Sequence, residues 1–306
     1  MCIHPLYGYY SKELTENGKR KIVFNMTDAL AIDEDFRVVL PCGKCDECRM
    51  KKAKMWSLRC VHEAKYHKDK VFLTLTYDDE HLPRNCGVPT LRYKDVQDFL
   101  KRLRKYLGDV KIRYFCSSEY GAKKFRPHYH MILYGWSPPD LRHYKRSYSG
   151  LPIYKSKILD SIWENGYVFV GTVTEMSANY VARYTLEKNQ DKGEKFYEYR
   201  EKESVRMSRR PGIGFTWINR YWKNVAERGF ILFDNIKHAI PRFYRSFIEK
   251  VDLFRYKILQ SRLKKRAREF SEKNPDTTPR SIIKSRIWKI KLSRLPRRLF
   301  NENRKL

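Results

Sequence analysis

Long apolar runs are missing from this chain of 306 residues. No window reaches the 18 or so uncharged apolar positions that a membrane-spanning helix needs, so no such helix is expected. The first residues, MCIHPLYGYYSKEL, lack the basic start and apolar stretch of a secretory signal. Cysteines number seven, an odd count. Both observations place the chain in a reducing cytoplasm rather than behind a disulfide framework. Internal repeats and low-complexity tracts are absent too. There is no Walker motif: Pro211 to Gly214 (PGIG) lacks the GKS/T ending and a preceding strand, and reads as a turn before a helix near Trp217 to Trp222. A helicase, if one is needed, comes from the host. Acidic residues are scarce, with 35 Asp and Glu against 65 Lys and Arg, a net charge of +30.

What is present suffices for a core. With 42% hydrophobic and 14% aromatic residues the chain is too apolar for disorder, and its length suggests one or two domains. The positive surplus attracts polyanions, of which nucleic acid is the commonest in a cytoplasm. Residues 241–306 carry 21 Lys and Arg against 6 Asp and Glu. The run SRLKKRAREF there, with Lys264, Lys265, Arg266 and Arg268, has helix-forming composition, and Pro279 and Pro296 interrupt the chain beyond it. That predicts short basic helices forming a phosphate-binding arm rather than a second compact domain. Many aromatics add stacking surface for unpaired bases, although most belong to the core.

Residues 1–68, short of apolar runs, read as an irregular, Cys-containing lead-in that a metal could staple. From Val71 the pattern sharpens. VFLTLTY alternates Val71, Leu73 and Leu75 with Phe72, Thr74 and Thr76, as a half-buried strand does. Val96, Phe99, Leu100, Leu103 and Leu107 then recur at helical spacing before Gly108. VKIRYFCSSEYG and PHYHMILYG come next as an antiparallel hairpin around a basic loop containing Lys123, Lys124 and Arg126. A helix over about 155–164, a strand YVFVGTV and a helix from near Ser177 complete a β-α-β-β-α-β-α order. The fold class expected is α+β: a central antiparallel sheet of split β-α-β type, flanking helices over one face, a site on the other, and a basic helical C-terminal tail. The divisions expected are 1–68, a core at 69–190, a charged linker and helical extension at 191–240, and the arm at 241–306.

His128 and His130, two apart on a strand, point to the same side of the sheet and can grip one ion. Glu119 ends the adjoining strand of the hairpin and can supply an oxygen ligand. Two imidazoles and a carboxylate leave open positions on a divalent ion, as needed when substrate also binds the metal. In YVARYTLEK, Tyr180 and Tyr184 share one helix face, Lys188 extends it and Arg183 flanks it. Tyrosine attacks phosphorus only with a cation, metal or base nearby, because its free pKa is about 10. Cys42, Cys45 and Cys48 at spacing three, with Cys60 beyond, fit a four-cysteine zinc site, buried thiols or, from the spacing, an iron–sulfur cluster, with Cys2, His4 and His62 in reserve.

FLTLTY, PHYH and YVARY in this order resemble the three motifs of the HUH endonucleases, the rolling-circle replication initiators. With CGKCDECR, TLTYDDEHLP, FLKRLRK, SEYG and SRRPGIG, the chain is more similar still, over about residues 40–215, to the replication initiators of microviruses, single-stranded DNA phages of the gokushovirus kind. The resemblance implies His128, His130 and Glu119 as ligands of Mg²⁺ or Mn²⁺, and Tyr180 and Tyr184 as paired nucleophiles. It also implies phage DNA, single-stranded and replicative, as substrate in the host cytoplasm, with host helicase and polymerase as partners. Where many relatives have Lys before the second Tyr, Arg183 can stabilise charge but cannot release a proton. Two rivals remain: an HUH nickase of plasmid or transposon origin, and a non-enzymatic basic DNA-binding or packaging protein. A relaxase is disfavoured, because Met131, Ile132 and Leu133 stand where a third histidine would be sought.

Overall fold

The computed structural model describes residues 2, 4–16, 20–25, 27, 29, 37–121, 124–147, 150–173 and 193–273. Three strands, β1 (Leu6–Leu14), β2 (Arg20–Val23) and β3 (Arg37–Leu40), form a small antiparallel sheet in the order β2-β1-β3. A long helix, α1 (Asp46–Ala64), comes after it. The lead-in is therefore built of regular elements and is not the irregular segment expected. Its strands are mostly exposed, which is why the sequence offers no apolar run there.

The centre is a seven-stranded antiparallel sheet. Its strands are β4 (Lys70–Tyr77), β7 (Arg113–Tyr120), β8 (Pro127–Tyr134), β9 (Arg142–Arg146), β10 (Pro152–Lys155), β11 (Gly166–Thr172) and β12 (Val205–Met207), in the order β12-β7-β8-β4-β11-β10-β9. The ribbon β5 (Arg84–Asn85) and β6 (Val88–Pro89) precedes helix α2 (Tyr93–Leu107), and α3 (Lys157–Trp163) precedes β11. β4 and β7, joined through α2, lie on either side of β8 and run parallel to each other, since both are antiparallel to it. β8 and β11 flank β4 in the same way. The β9–β10 hairpin is an addition to the expected order. All five residues of β9 are exposed, so no alternation marks it.

One face of the sheet is wholly apolar. Val71, Leu73 and Leu75 of β4, Tyr129, Met131 and Leu133 of β8, and Val168 and Val170 of β11 pack against the predicted stripe of α2 and against Leu159, Ile162 and Trp163 of α3. Each large side chain buried this way contributes roughly 1.5–3 kcal/mol. The opposite face is divided: Phe72, Phe115, Ile132 and Tyr134 pack beneath α1 with Cys60 and Ile213, and beyond them the same strands turn polar.

α1 is a middle layer. Its other side, through Leu58, joins a helical cluster of α5 (Phe215–Arg228), α6 (Arg242–Val251) and α7 (Leu253–Lys273), with Ile218, Val225, Tyr244, Ile248 and Leu259 at its core. A short helix α4 (Glu194–Tyr197) and a ribbon of β13 (Ile231–Phe233) and β14 (Ile236–His238) complete the elements. The basic segment up to Leu263 is thus packed and not a free arm; Tyr244, Phe247 and Ile248 keep helical spacing among the charges. The α+β class holds, with a large antiparallel sheet and several helices. No helix among the described residues is long and apolar enough to cross a membrane.

Glu63, at the end of α1, ties the layers together. Its carboxylate accepts from the Arg113 guanidinium of β7, from the Gly214 N–H at 2.6 Å where α5 begins, and pairs with His67 at 3.3 Å. Burial pushes this carboxyl up, but His67, the Gly214 amide and Arg113 together outweigh burial and hold it below the ordinary 4.5. A depressed folded value means stability that is present above the ordinary value and lost as pH falls through the folded one. Glu63→Gln is expected to cost about 2–4 kcal/mol at pH 7, read by urea unfolding. The gap to the parent should close as the pH falls through 4.5 and below; a gap independent of pH would show that the charge contributes nothing.

Candidate metal centre

The polar half of the divided face is made by strand register. β8 alternates, sending Tyr129, Met131 and Leu133 to the apolar face and His128, His130, Ile132 and Tyr134 to the other. Pairing with β4 and β7 forms three cross-strand rows. Phe72, Ile132 and Phe115 make the apolar row under α1; next come Thr74, His130 and Ser117; then Thr76, His128 and Glu119. Glu119 therefore stands directly opposite His128, as the hairpin reading expects.

The three side chains converge. His128 Nε2 lies 2.5 Å, and His130 Nε2 3.2 Å, from the same oxygen, Glu119 Oε1. Ligand atoms of all three fall within 4.8 Å of one another. Glu119 and His130 are almost fully buried and His128 is 14% exposed, so the group opens on the His128 side. Each ring is held from behind. His128 Nδ1 donates to the Arg126 carbonyl at 3.2 Å, and His130 Nδ1 meets the Thr74 hydroxyl at 3.1 Å. A carbonyl can only accept, so the His128 proton resides on Nδ1 and Nε2 faces Glu119, the orientation that histidine ligands take from their outer partners. Burial pushes the Glu119 carboxyl up, yet His128 and His130 overcome it and hold it well below the ordinary carboxylate value, so it is anionic at neutral pH. Opposite His130, Ser117 Oγ is buried without a hydrogen-bond partner among the described residues.

Arg126 is placed differently from the phosphate contact expected of it. Its guanidinium binds the Tyr77 and Asp78 carbonyls at 2.9 and 3.1 Å and pairs with Asp79, locking the end of β4 to the start of β8. Lys124 is exposed, and Lys123 lies outside the described residues, as do Tyr180, Arg183, Tyr184 and Lys188. Tyr77 and Tyr129, which do adjoin the motifs, face the helices. Burial raises both phenols above their ordinary value, and Tyr77 donates to Asp95 at 2.7 Å. They are core residues, not nucleophiles. On α7, Lys264, Lys265 and Arg268 are exposed, while Arg266 binds the Arg228 carbonyl at the end of α5, beside Arg262 on the Glu227 carbonyl.

The four expected cysteines are not brought together. Cys60 is buried under the sheet near Tyr134, and burial raises its thiol to about 12. Cys42, Cys45 and Cys48 do cluster, with Cys2 as the fourth member. Thr74, Ser117 and the Arg126 carbonyl went unread in the sequence; the alternation of FLTLTY against PHYH was the signal that could have found Thr74.

Two histidines and a carboxylate on the open polar half of an antiparallel sheet define an α+β protein with a candidate divalent-metal centre. The chain belongs to the family of phage replication-associated proteins. Residues 70–190, which span this centre, match the family model described as replication-associated protein ORF2. Curated relatives match over most of the chain. Replication-associated protein VP4 of Bdellovibrio phage phiMH2K is 32% identical over 76% of this chain and 74% of its own length. Replication-associated protein ORF2 of Spiroplasma virus 4 is 34% identical over 69% of this chain and 68% of its own. Replication-associated protein ORF4 of Chlamydia phage 1 is 31% identical over 71% and 55%. No solved structure matches the chain.

Proposed function

We propose that this protein starts rolling-circle replication of a phage genome by nicking and rejoining single-stranded origin DNA. The observation that carries the reading is the convergence of Glu119, His128 and His130 at one open point of the sheet. Family membership and the orphaned Ser117 hydroxyl support it. The strand arrangement around β8 and β4 is read as the split β-α-β core of an HUH endonuclease. The donor set of two nitrogens and one anionic oxygen suits Mg²⁺ or Mn²⁺, which when bound would offset negative charge on the scissile phosphate.

The chain's own groups do the rest. One of Tyr180 and Tyr184 attacks the phosphorus; the tyrosyl oxygen–phosphorus bond forms, the bond to the 3′ oxygen breaks, and that oxygen leaves as a 3′-hydroxyl carrying a proton. The 5′ side stays joined to the tyrosine as a phosphodiester, so bond energy is conserved and no ATP is needed. After one circuit the second tyrosine attacks the regenerated junction, and the freed 3′-hydroxyl closes the circle on the first. Arg183 and Lys188 supply positive charge beside the nucleophiles. Exposed Lys124, Lys264, Lys265 and Arg268, with Lys123, contact phosphates. Host polymerase extends the 3′-hydroxyl, and a host helicase opens the duplex in the host cytoplasm.

The test is incubation of the full chain with Mn²⁺ and single-stranded DNA covering the phage genome. Label at the 3′ end should become covalently bound to protein, whereas label at the 5′ end should appear in a shorter free strand; chelator should abolish both. Binding without any adduct on all strands would favour a packaging protein.

A further inference from the structure

The geometry points to a structural zinc site formed by Cys2, Cys42, Cys45 and Cys48, which fastens the N-terminal sheet to the start of α1. All four sulfurs lie within 4.8 Å of one another. Cys2 Sγ and Cys45 Sγ are 3.7 Å apart. That is far beyond the 2.05 Å or so of a disulfide, and it matches the edge of a tetrahedron whose four sulfurs each stand about 2.3 Å from a central zinc, about 3.8 Å. None of the seven cysteines is in a disulfide.

Strand register explains the grouping. β1 and β3 pair antiparallel with Leu6 opposite Leu40. Carried four residues further, that register sets position 2 opposite position 44, between Cys42 and Cys45. Gly43, with φ of +74°, turns the chain there, and α1 begins at Asp46 so that Cys48 comes round in its first turn. Backbone amides aim at the sulfurs: Cys42 N donates to Cys2 Sγ at 3.2 Å and Cys45 N to Cys42 Sγ at 3.3 Å. Such bonds favour the thiolate, the form that binds metal.

The grouping discriminates among metals. In a multi-iron cluster the thiolates are shared among different irons and spread apart, whereas sulfurs this close suit a single ion. Four thiolates close the coordination of zinc and leave no place for substrate, so the role is to hold structure. Nearby Lys44, Arg49, Lys51 and Lys52 offset the excess negative charge in sequence. This site is separate from the Glu119, His128 and His130 centre, and it stands whether or not the protein cuts DNA.

The test is metal analysis of the full chain by mass spectrometry. One zinc per chain is expected in the parent and in Cys60→Ser, and less than about a tenth of that in Cys2→Ser and Cys45→Ser. Should those variants be insoluble, the parent decides: stripped protein refilled with Co²⁺ should show the intense visible bands of a tetrahedral four-thiolate ion. Soluble parent without zinc, iron with labile sulfide in its place, or zinc kept by Cys2→Ser and lost by Cys60→Ser would each overturn the assignment.

Discussion

Glu119→Gln is expected to lower metal-supported cleavage of single-stranded DNA by about 10²–10³-fold while DNA affinity stays within about threefold. The substitution keeps the shape of a side chain whose Oε1 lies within hydrogen-bond reach of both imidazoles, and removes only its charge. Without that charge, the two imidazoles hold a divalent ion far less tightly, and the Mn²⁺ concentration for half-maximal cleavage should rise at least about tenfold. His128→Ala should behave alike. Affinity is spared because it comes from Lys and Arg on phosphates elsewhere. Thermal melting of each variant provides the control for folding. Cleavage by Glu119→Gln at the parent rate and metal dependence would remove the centre from the chemistry.

Changing Tyr180 and Tyr184 together to Phe should abolish the covalent protein–DNA adduct, a loss beyond about a thousandfold, with binding again retained. No described tyrosine beside the centre can replace them, since Tyr77 and Tyr129 are turned toward α2 and α3 and held protonated by burial. The single variants separate the two steps. One tyrosine should still cut once, but it should fail to transfer the strand when a second origin junction is supplied. An adduct formed by the double variant would mean that another group attacks.

The centre was legible because it obeys local rules. A period of two aligns His128 with His130, and a short hairpin loop fixes Glu119 opposite them, so three residues of one site fall within twelve positions. α2, with its single apolar stripe, was legible for the same reason. α1 was not: it buries two sides against two different partners, Cys60 and Val61 toward the sheet and Leu58 toward α5–α7, and no single stripe remains to be read. The helical cluster was hidden by charge. Cys2 and the Glu63–Gly214 contact join positions 40 or more apart, a matter of register and packing that spacing along the chain does not encode.

Several guanidiniums are spent on backbone carbonyls: Arg59 on Ile213, Arg102 on Ile162 and Trp163, Arg126 on Tyr77 and Asp78, Arg262 and Arg266 at the end of α5. These cations serve as mortar between layers. The +30 of the sequence therefore overstates the electrostatic reach of the protein. Counterions released on binding number with the phosphates actually touched, not with formal charge, and a chain that turns part of its arginine inward holds its DNA more loosely, and lets it slide more freely, than composition suggests.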